Sequence, residues 1–127
     1  MLFKSLECLR DIEKLINETH DLPIFRGYKA INKRGVEKLI DEIYASLPED
    51  VLNARIYLRE HNYEIRKKVK EKTNVYDLLK MFEIALEDGY QFMQSVVIKT
   101  KEIENLLDRI YENMPDEIDE VQKNNKL

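Results

Sequence analysis

The sequence predicts a mainly α-helical protein with about six helices in two similar helix–arm–helix units, joined by a longer central helix. Charged residues make up 36% and hydrophobic residues 43% of the chain, while Gly and Pro number only three each. Such a composition is typical of helices, with strands only as short arms. The apolar residues also recur at helical spacing, and one such stretch returns later in the chain.

The first of the two matching stretches spans residues 36–47 and carries one apolar stripe. Its apolar positions fall at i, i+3, i+4, i+7, i+8 and i+11, which is one face of an α-helix. They are Val36, Leu39, Ile40, Ile43, Tyr44 and Leu47. A proline ends one helix and suits the first position of the next. The sequence therefore predicts that a longer central helix begins at Pro48 and runs to about Lys72.

The second stretch, residues 103–114, repeats this pattern 67 positions later. Its apolar residues are Ile103, Leu106, Leu107, Ile110, Tyr111 and Met114. Segments 36–55 and 103–122 align without a gap and are identical at six of twenty positions. Both contain a Tyr-x-x-Φ-Pro ending, in which Φ is apolar. We interpret the match as an internal duplication.

The duplication predicts a first unit with the central helix, residues 1–72, and a second, diverged unit, residues 73–127. The two units form either two small domains or one compact domain. A unit this small buries too little apolar surface alone. The two stripes therefore pack on each other, or each meets another chain.

The remaining predicted elements are the first helix of each unit, the strand-like arms and two later helices of the second unit. Apolar stripes predict helices over residues 2–19 and 75–88, and the glycine after the second is a common helix end. Aromatic and β-branched residues predict strand-like arms at 24–31 and 90–98. The two remaining predicted helices begin near Thr100 and at Pro115.

Charge and composition disfavour several classes of function. The net charge of −4 and the sequence pI near 5.3 disfavour general binding to nucleic acid, which favours an excess of Lys and Arg. The single cysteine, Cys8, excludes an intrachain disulfide and fits a reducing compartment. No apolar run approaches the ~18 residues of a membrane span. We therefore predict a cytoplasmic protein, with peripheral attachment to the inner face of a membrane as an alternative.

The residues that usually carry catalysis are absent from recognisable patterns. His20 and His61 are the only histidines, and neither belongs to a metal-binding motif. The chain contains no glycine-rich phosphate loop. Its carboxylates lie at helix-surface spacings. We predict no catalytic residues, no cofactor and no metal, and hence a protein that is not an enzyme.

About residues 9–60 resemble a module found in bacterial coiled-coil proteins. The residues that carry the resemblance, in this order, are Leu15-Ile16, Pro23-Ile24, Ala30-Ile31, Leu39-Ile40-Asp41, Leu47-Pro48-Glu49-Asp50-Val51 and Ala54-Arg55. They resemble the N-terminal module of proteins described as DivIVA-like or ATP synthase b-subunit-like. The resemblance implies a scaffold that associates through helices. The long C-terminal coiled coil of that family is replaced here by the second unit.

The arm of the first unit is similar to one turn of DivIVA. The match is Phe25-Arg26-Gly27-Tyr28, where the family places an aromatic tip in lipid and an arginine at the head groups. Here a longer basic segment follows before the helix. The resemblance and the basic–aromatic composition predict a possible contact with lipid or another polyanion through Phe25, Arg26, Lys29, Lys33 and Arg34.

Two functions follow from these patterns. The leading hypothesis is a non-catalytic helical scaffold or adaptor that forms a homodimer or binds a helical partner through its apolar stripes. The alternative is a peripheral membrane or nucleic-acid-binding module that uses the basic–aromatic arm.

Overall fold

The computed structural model describes residues 3–19, 26–64 and 73–124. They contain five α-helices and three short β-strands. In chain order they are α1 (Lys4–Glu18), β1 (Tyr28–Asn32), α2 (Lys33–Glu60), α3 (Val75–Asp88), β2 (Tyr90–Phe92), β3 (Ser95–Lys99), α4 (Thr100–Glu112) and α5 (Asp116–Asn124). The mainly helical fold class is confirmed. The described residues form five helices rather than about six.

The prediction that Pro48 separates two helices is wrong, because α2 is one helix of 28 residues with Pro48 inside it. An internal proline removes one backbone hydrogen bond and costs roughly 3 kcal/mol. The buried face of α2 nevertheless continues beyond it, with Leu47, Ala54 and Leu58 each at most 2% exposed. Burying such side chains stabilises by about 1.5–3 kcal/mol for a leucine, which offsets the cost of the proline.

The central helix also ends earlier than the sequence predicts, at Glu60. Asn62 adopts a left-handed conformation with φ of 56°, which asparagine tolerates better than most residues. The Tyr63 N–H then donates to the Leu58 carbonyl at 2.9 Å, as in a Schellman helix end. The rest of the predicted central helix, residues 65–72, lies outside the described residues.

The two predicted arms pair with each other in a three-stranded antiparallel sheet of order β1-β3-β2. The first arm forms β1, and the second forms the hairpin of β2 and β3. Ala30 at the middle of β1 lies opposite Val97 at the middle of β3. These two positions are 67 residues apart, the same spacing as between the first residues of α2 and α4. The sheet therefore joins the two halves of the chain, residues 3–64 and 73–124, at matching positions.

A single hydrophobic core lies between these helices and one face of the sheet. In α1, Leu9, Ile12 and Ile16 are each 1% exposed. This helix packs along α2, which also packs on α5, while α3 packs on α4. Elements of both halves therefore contribute to the same core.

Candidate protein-binding groove

The apolar stripes that the sequence offers as interaction surfaces lie mostly inside the molecule. Nine of these side chains are buried, namely Val36, Ile40, Ile43, Leu47, Ile103, Leu106, Leu107, Ile110 and Met114. Leu39, Tyr44 and Tyr111 are partly buried and pack against the same core. Because the stripes face the core of one chain, a surface for a partner has to be sought elsewhere.

A groove of about 1160 Å³ opens between α3, α4 and the sheet; we call it the α3–α4 groove. One wall is the face of α3 that carries Met81, Ile84 and Ala85. These residues lie at i, i+3 and i+4, so they project from one side of the helix. Val97 of β3 and Leu106 of α4 also line the groove.

The wall formed by α3 and β2 exposes large apolar side chains to solvent. The exposed fractions are 43% for Met81, 55% for Ile84, 71% for Tyr90 and 56% for Phe92. Contiguous apolar surface of this kind marks an interaction site more often than an ordinary surface. Methionine and aromatic side chains also adapt well to a partner.

The opposite wall, formed by α4, is polar. Glu102, Asn105 and Arg109 line the groove from this helix. They lie at i, i+3 and i+7, which keeps them on one face. The α3–α4 groove therefore has an apolar side and a charged side along its length. Any occupant that fits both sides has to be amphipathic.

The structure places the predicted basic–aromatic arm only in part. Phe25 lies outside the described residues. Arg26 is exposed in the turn before β1, and Arg34 is exposed at the start of α2. Lys29 Nζ donates to the Ile16 carbonyl at the end of α1, at 3.3 Å.

Lys33, the remaining basic residue of this arm, contacts a carboxylate. Its Nζ lies 3.8 Å from Glu37 Oε1 on the next turn of α2. Exposed pairs of this kind stabilise by only about 0.3–0.5 kcal/mol. Lys33 therefore remains able to exchange its partner for another anion.

The turn between β2 and β3 was not predicted as a functional element, yet it projects an apolar side chain. Met93 is 90% exposed and has a left-handed φ of 56°. Because Asn32 lies opposite Ser95 in the sheet, this turn is at the end of the sheet where α2 begins with Lys33 and Arg34. The feature of the sequence that could have indicated a functional turn is an apolar residue at a position where turns usually carry Gly or Asn.

Cys8 is an inert thiol. It is 4% exposed, and its Sγ donates to Glu42 Oε2 at 3.4 Å. Burial, followed by the contact with Glu42, raises the pKa of Cys8 to about 11. Since the thiolate is the reactive form, this residue does not offer a nucleophile at neutral pH.

Two tyrosines at matching positions each contact the first helix of the other half. The Tyr44 ring stacks on Tyr76 of α3 with a centroid distance of 6.0 Å. The Tyr111 hydroxyl donates to Glu13 Oε2 of α1 at 2.8 Å. Burial and then this hydrogen bond raise the pKa of Tyr111 above its ordinary range. Both tyrosines therefore form contacts between the two halves.

Neither a metal-binding group of side chains nor a membrane-spanning helix is found in the part of the chain that the structure describes. No group of three or more His, Cys, Asp or Glu residues there is placed to hold a metal ion. None of the described helices has the length and apolar character needed to cross a membrane.

Comparisons with known proteins identify no family for the chain. A scan against protein-family models finds no match. Searches of curated proteins and of solved structures find no match either. The similarity of residues 9–60 to DivIVA-like modules therefore stays an expectation based on motifs.

Proposed function

We propose that the protein is a non-catalytic cytoplasmic adaptor that binds copies of itself or a partner helix through the α3–α4 groove. The single observation that carries this proposal is the exposed apolar wall of α3 and β2. Its side chains are large and contiguous with a groove, as expected of a surface that receives an amphipathic helix. A DivIVA-like scaffold has the same general role, which is consistent with the motifs of the first half.

Comparison of the two halves supports the view that this wall is not needed for folding. Asp11 and Lys14 of α1 align with Asp77 and Lys80 of α3 at an offset of 66 residues. At the same offset, Ile84 of α3 matches Glu18 of α1. Glu18 is exposed, so the same place in the first half tolerates a charge. Ile84 is 55% exposed and contributes little to the core. An apolar residue there has a better explanation in binding than in stability.

We also infer that the chain arose by fusion of two copies of one helix–strand–helix unit. Three features support the inference: the alignment of 36–55 with 103–122, the pairing of Ala30 with its counterpart Val97, and the reciprocal contacts of the two matching tyrosines. A pairing between equivalent positions is what a two-fold axis produces. The first half then acts as a support on which the second half diverged to form the groove.

The test of the adaptor function is site-specific photo-crosslinking in cells. A benzophenone amino acid replaces Ile84 in the wall of the groove, and in a control chain it replaces the exposed Glu49 of α2. We expect position 84 to give one dominant crosslinked species and position 49 to give none. The absence of any species specific to position 84 would overturn the proposal.

A matched variant separates loss of binding from loss of fold. Ile84→Glu copies the residue found at the matching place in α1, so its free energy of unfolding should change by less than about 0.5 kcal/mol. Crosslinking from position 81 in the Ile84→Glu background should nevertheless fall strongly. A crosslink that survives this change would place the binding surface outside the groove.

A second candidate function, contact with a membrane surface, is favoured by the turn at Met93. Phe92 and Met93 are 56% and 90% exposed, and they lie at the end of the sheet where β1 leads into α2 with Lys33 and Arg34. Apolar side chains flanked by basic residues suit the boundary between acyl chains and anionic head groups. This surface overlaps the basic residues of the predicted arm.

Co-sedimentation with lipid vesicles tests this second function. Vesicles containing phosphatidylserine should bind the protein, while pure phosphatidylcholine vesicles should not. Met93→Ser should weaken binding, and Met81→Ser, on α3 rather than in the turn between β2 and β3, serves as the control. Equal recovery in the supernatant with both kinds of vesicle would remove the membrane function, and binding to double-stranded DNA instead would favour the nucleic-acid alternative.

A further inference from the structure

We infer that the occupant of the α3–α4 groove is a second copy of this chain, which places its α4 antiparallel to the first. This inference deepens the adaptor function and rests on it. The charges on the polar wall follow an order that an antiparallel copy complements.

The polar wall of α4 has opposite charges at its two ends. Glu102 lies in the first turn of the helix and Arg109 about two turns further on, a rise of about 10.5 Å. Asn105 lies between them, and all three line the groove. If a second α4 runs in the opposite direction, Glu102 of each copy faces Arg109 of the other. The two Asn105 side chains then meet close to the two-fold axis.

A second pair on the same helix follows the same rule. Lys101 and Glu112 are both exposed and lie on one flank of the polar wall. Their midpoint falls close to that of Glu102 and Arg109, so one antiparallel register pairs all four charges. A parallel arrangement would instead place like charges together, which is unfavourable. The order of these four charges on α4 thus favours an antiparallel copy over a parallel one.

The apolar wall supplies the remaining contact. In a two-fold dimer the same patch of each copy forms the interface. The apolar side chains of α4 are buried in its own chain, so each copy covers the exposed Met81, Ile84 and Phe92 of the other with its own wall of α3 and β2. The two-fold interface then combines contact between these apolar walls with paired charges along the two α4 helices.

The experiment is light scattering after size exclusion over a concentration series, with charge-reversal variants of the full chain. Wild-type protein should be a dimer. Glu102→Arg and Arg109→Glu should each raise the dissociation constant on the order of 100-fold, because each places two like-charged pairs in the interface. The double variant, with both reversals in one chain, should dimerise again because the order is inverted but still self-complementary.

Mixing the two single variants gives a sharper readout. One has two positive charges on the polar wall and the other has two negative charges, so together they should form a heterodimer. Glu104→Arg, which makes the same charge change on an exposed position of a different face of α4, should leave the wild-type dimer intact. Circular dichroism confirms that each variant is folded.

The outcomes separate this inference from the adaptor function. A wild-type monomer at all concentrations, or single variants that dimerise as the wild type does, would overturn the second-copy inference. A crosslink from position 84 to a different protein would then still support the adaptor function. Rescue in the double variant and pairing of the mixed single variants would establish the antiparallel α4 interface.

Discussion

The first half of the molecule runs α1-β1-α2 and the second runs α3-β2-β3-α4-α5, and the two halves differ in how tightly the first helix packs. In the first half α1 packs more extensively on α2 than α3 does on α4. A Cβ atom on Gly35 would lie 3.5 Å from Leu15 Cδ1, so α1 passes close to the start of α2. The matching position at the start of α4 is Glu102. The less extensive packing of α3 on α4 therefore coincides with a charged residue at the position where the first half has a glycine.

The halves also differ at the shared Tyr-x-x-Φ-Pro ending. In the first half the helix continues through Pro48. In the second half it stops before Pro115, and the Asn113 side chain donates to the Arg109 carbonyl at 2.8 Å. Asparagine favours such local hydrogen bonds over helix continuation. The proline alone therefore does not decide whether the helix ends. Its neighbours and the surface that they bury decide it.

The largest expected effect comes from truncating the two matched core residues Ile43 and Ile110, each 1% exposed. Ile43→Ala should lower the free energy of unfolding by about 3–4 kcal/mol, within the usual range for buried isoleucine. Ile110→Ala should cost about 1 kcal/mol less, because α4 borders the groove and can shift to fill the cavity. Chemical denaturation of both variants measures the difference, and equal losses would argue against a more adaptable second half.

The next effect concerns the matched carboxylates Asp50 and Glu117. Buried Asp50 accepts a hydrogen bond from the Ser5 N–H at 2.8 Å, which caps α1. Glu117 instead pairs with Arg55 at 2.9 Å, where the Arg55 side chain is 59% exposed. Asp50→Ala should cost about 2 kcal/mol because it leaves a buried N–H unpaired. Glu117→Ala should cost at most about 1 kcal/mol, and a reversed order in thermal denaturation would contradict this account.

The two prolines should respond in opposite directions. Pro48→Ala restores a backbone hydrogen bond within α2 and should raise the free energy of unfolding by about 1–2 kcal/mol. Pro115→Ala should lower it by less than about 1 kcal/mol, since a flexible residue then stands at a real helix break. Urea denaturation of the two single variants decides the point. Destabilisation by Pro48→Ala would mean that the packing of α2 depends on its proline.

The smallest effect on stability is a pH dependence from Cys8. Its pKa of about 11 in the folded chain exceeds the ordinary 9.0, so the unfolded chain loses this proton first. The stability that this group contributes is complete below pH 9 and falls as the pH rises toward 11. Cys8→Ala should remove this part of the alkaline decline, as measured by denaturation at several pH values.

Thiol labelling compares the accessibility of Cys8 in the first half with that of an exposed cysteine in the second half. At pH 8, iodoacetamide should modify Cys8 at least about 100-fold more slowly than the exposed cysteine of Glu104→Cys, measured in a Cys8→Ala background. The difference follows from both burial and the raised pKa. Similar rates under native conditions would show that the first half opens readily.

The sequence was sufficient for elements whose signals are local. The apolar stripe and Gly89 located α3 from Val75 to Asp88, as the structure has it. The predicted start of a helix near Thr100 also agrees with α4. Such helices depend on spacing and end signals that lie within a few residues.

Other features depend on contacts between distant residues and were not visible in the sequence. The continuation of α2 through Pro48 needs the buried surfaces of α1 and α5. The hairpin of β2 and β3 turns at Met93 without the usual Gly or Asn. The stripes near Val36 and Ile103 were identifiable as apolar, but not as core rather than interface. The α3–α4 groove was missed for the same reason, since its walls come from separate elements.

The pairing of β1 with β3 has a consequence for how the chain holds together. Every hydrogen bond between these strands joins residues on opposite sides of the segment between Glu64 and Thr73. Because the two halves belong to one peptide chain, they are held at a high effective concentration. Separate fragments 1–64 and 73–127 should therefore reassemble when mixed, with a stability that depends on their concentration. A chain with this property can be divided into a pair of complementing fragments at that segment.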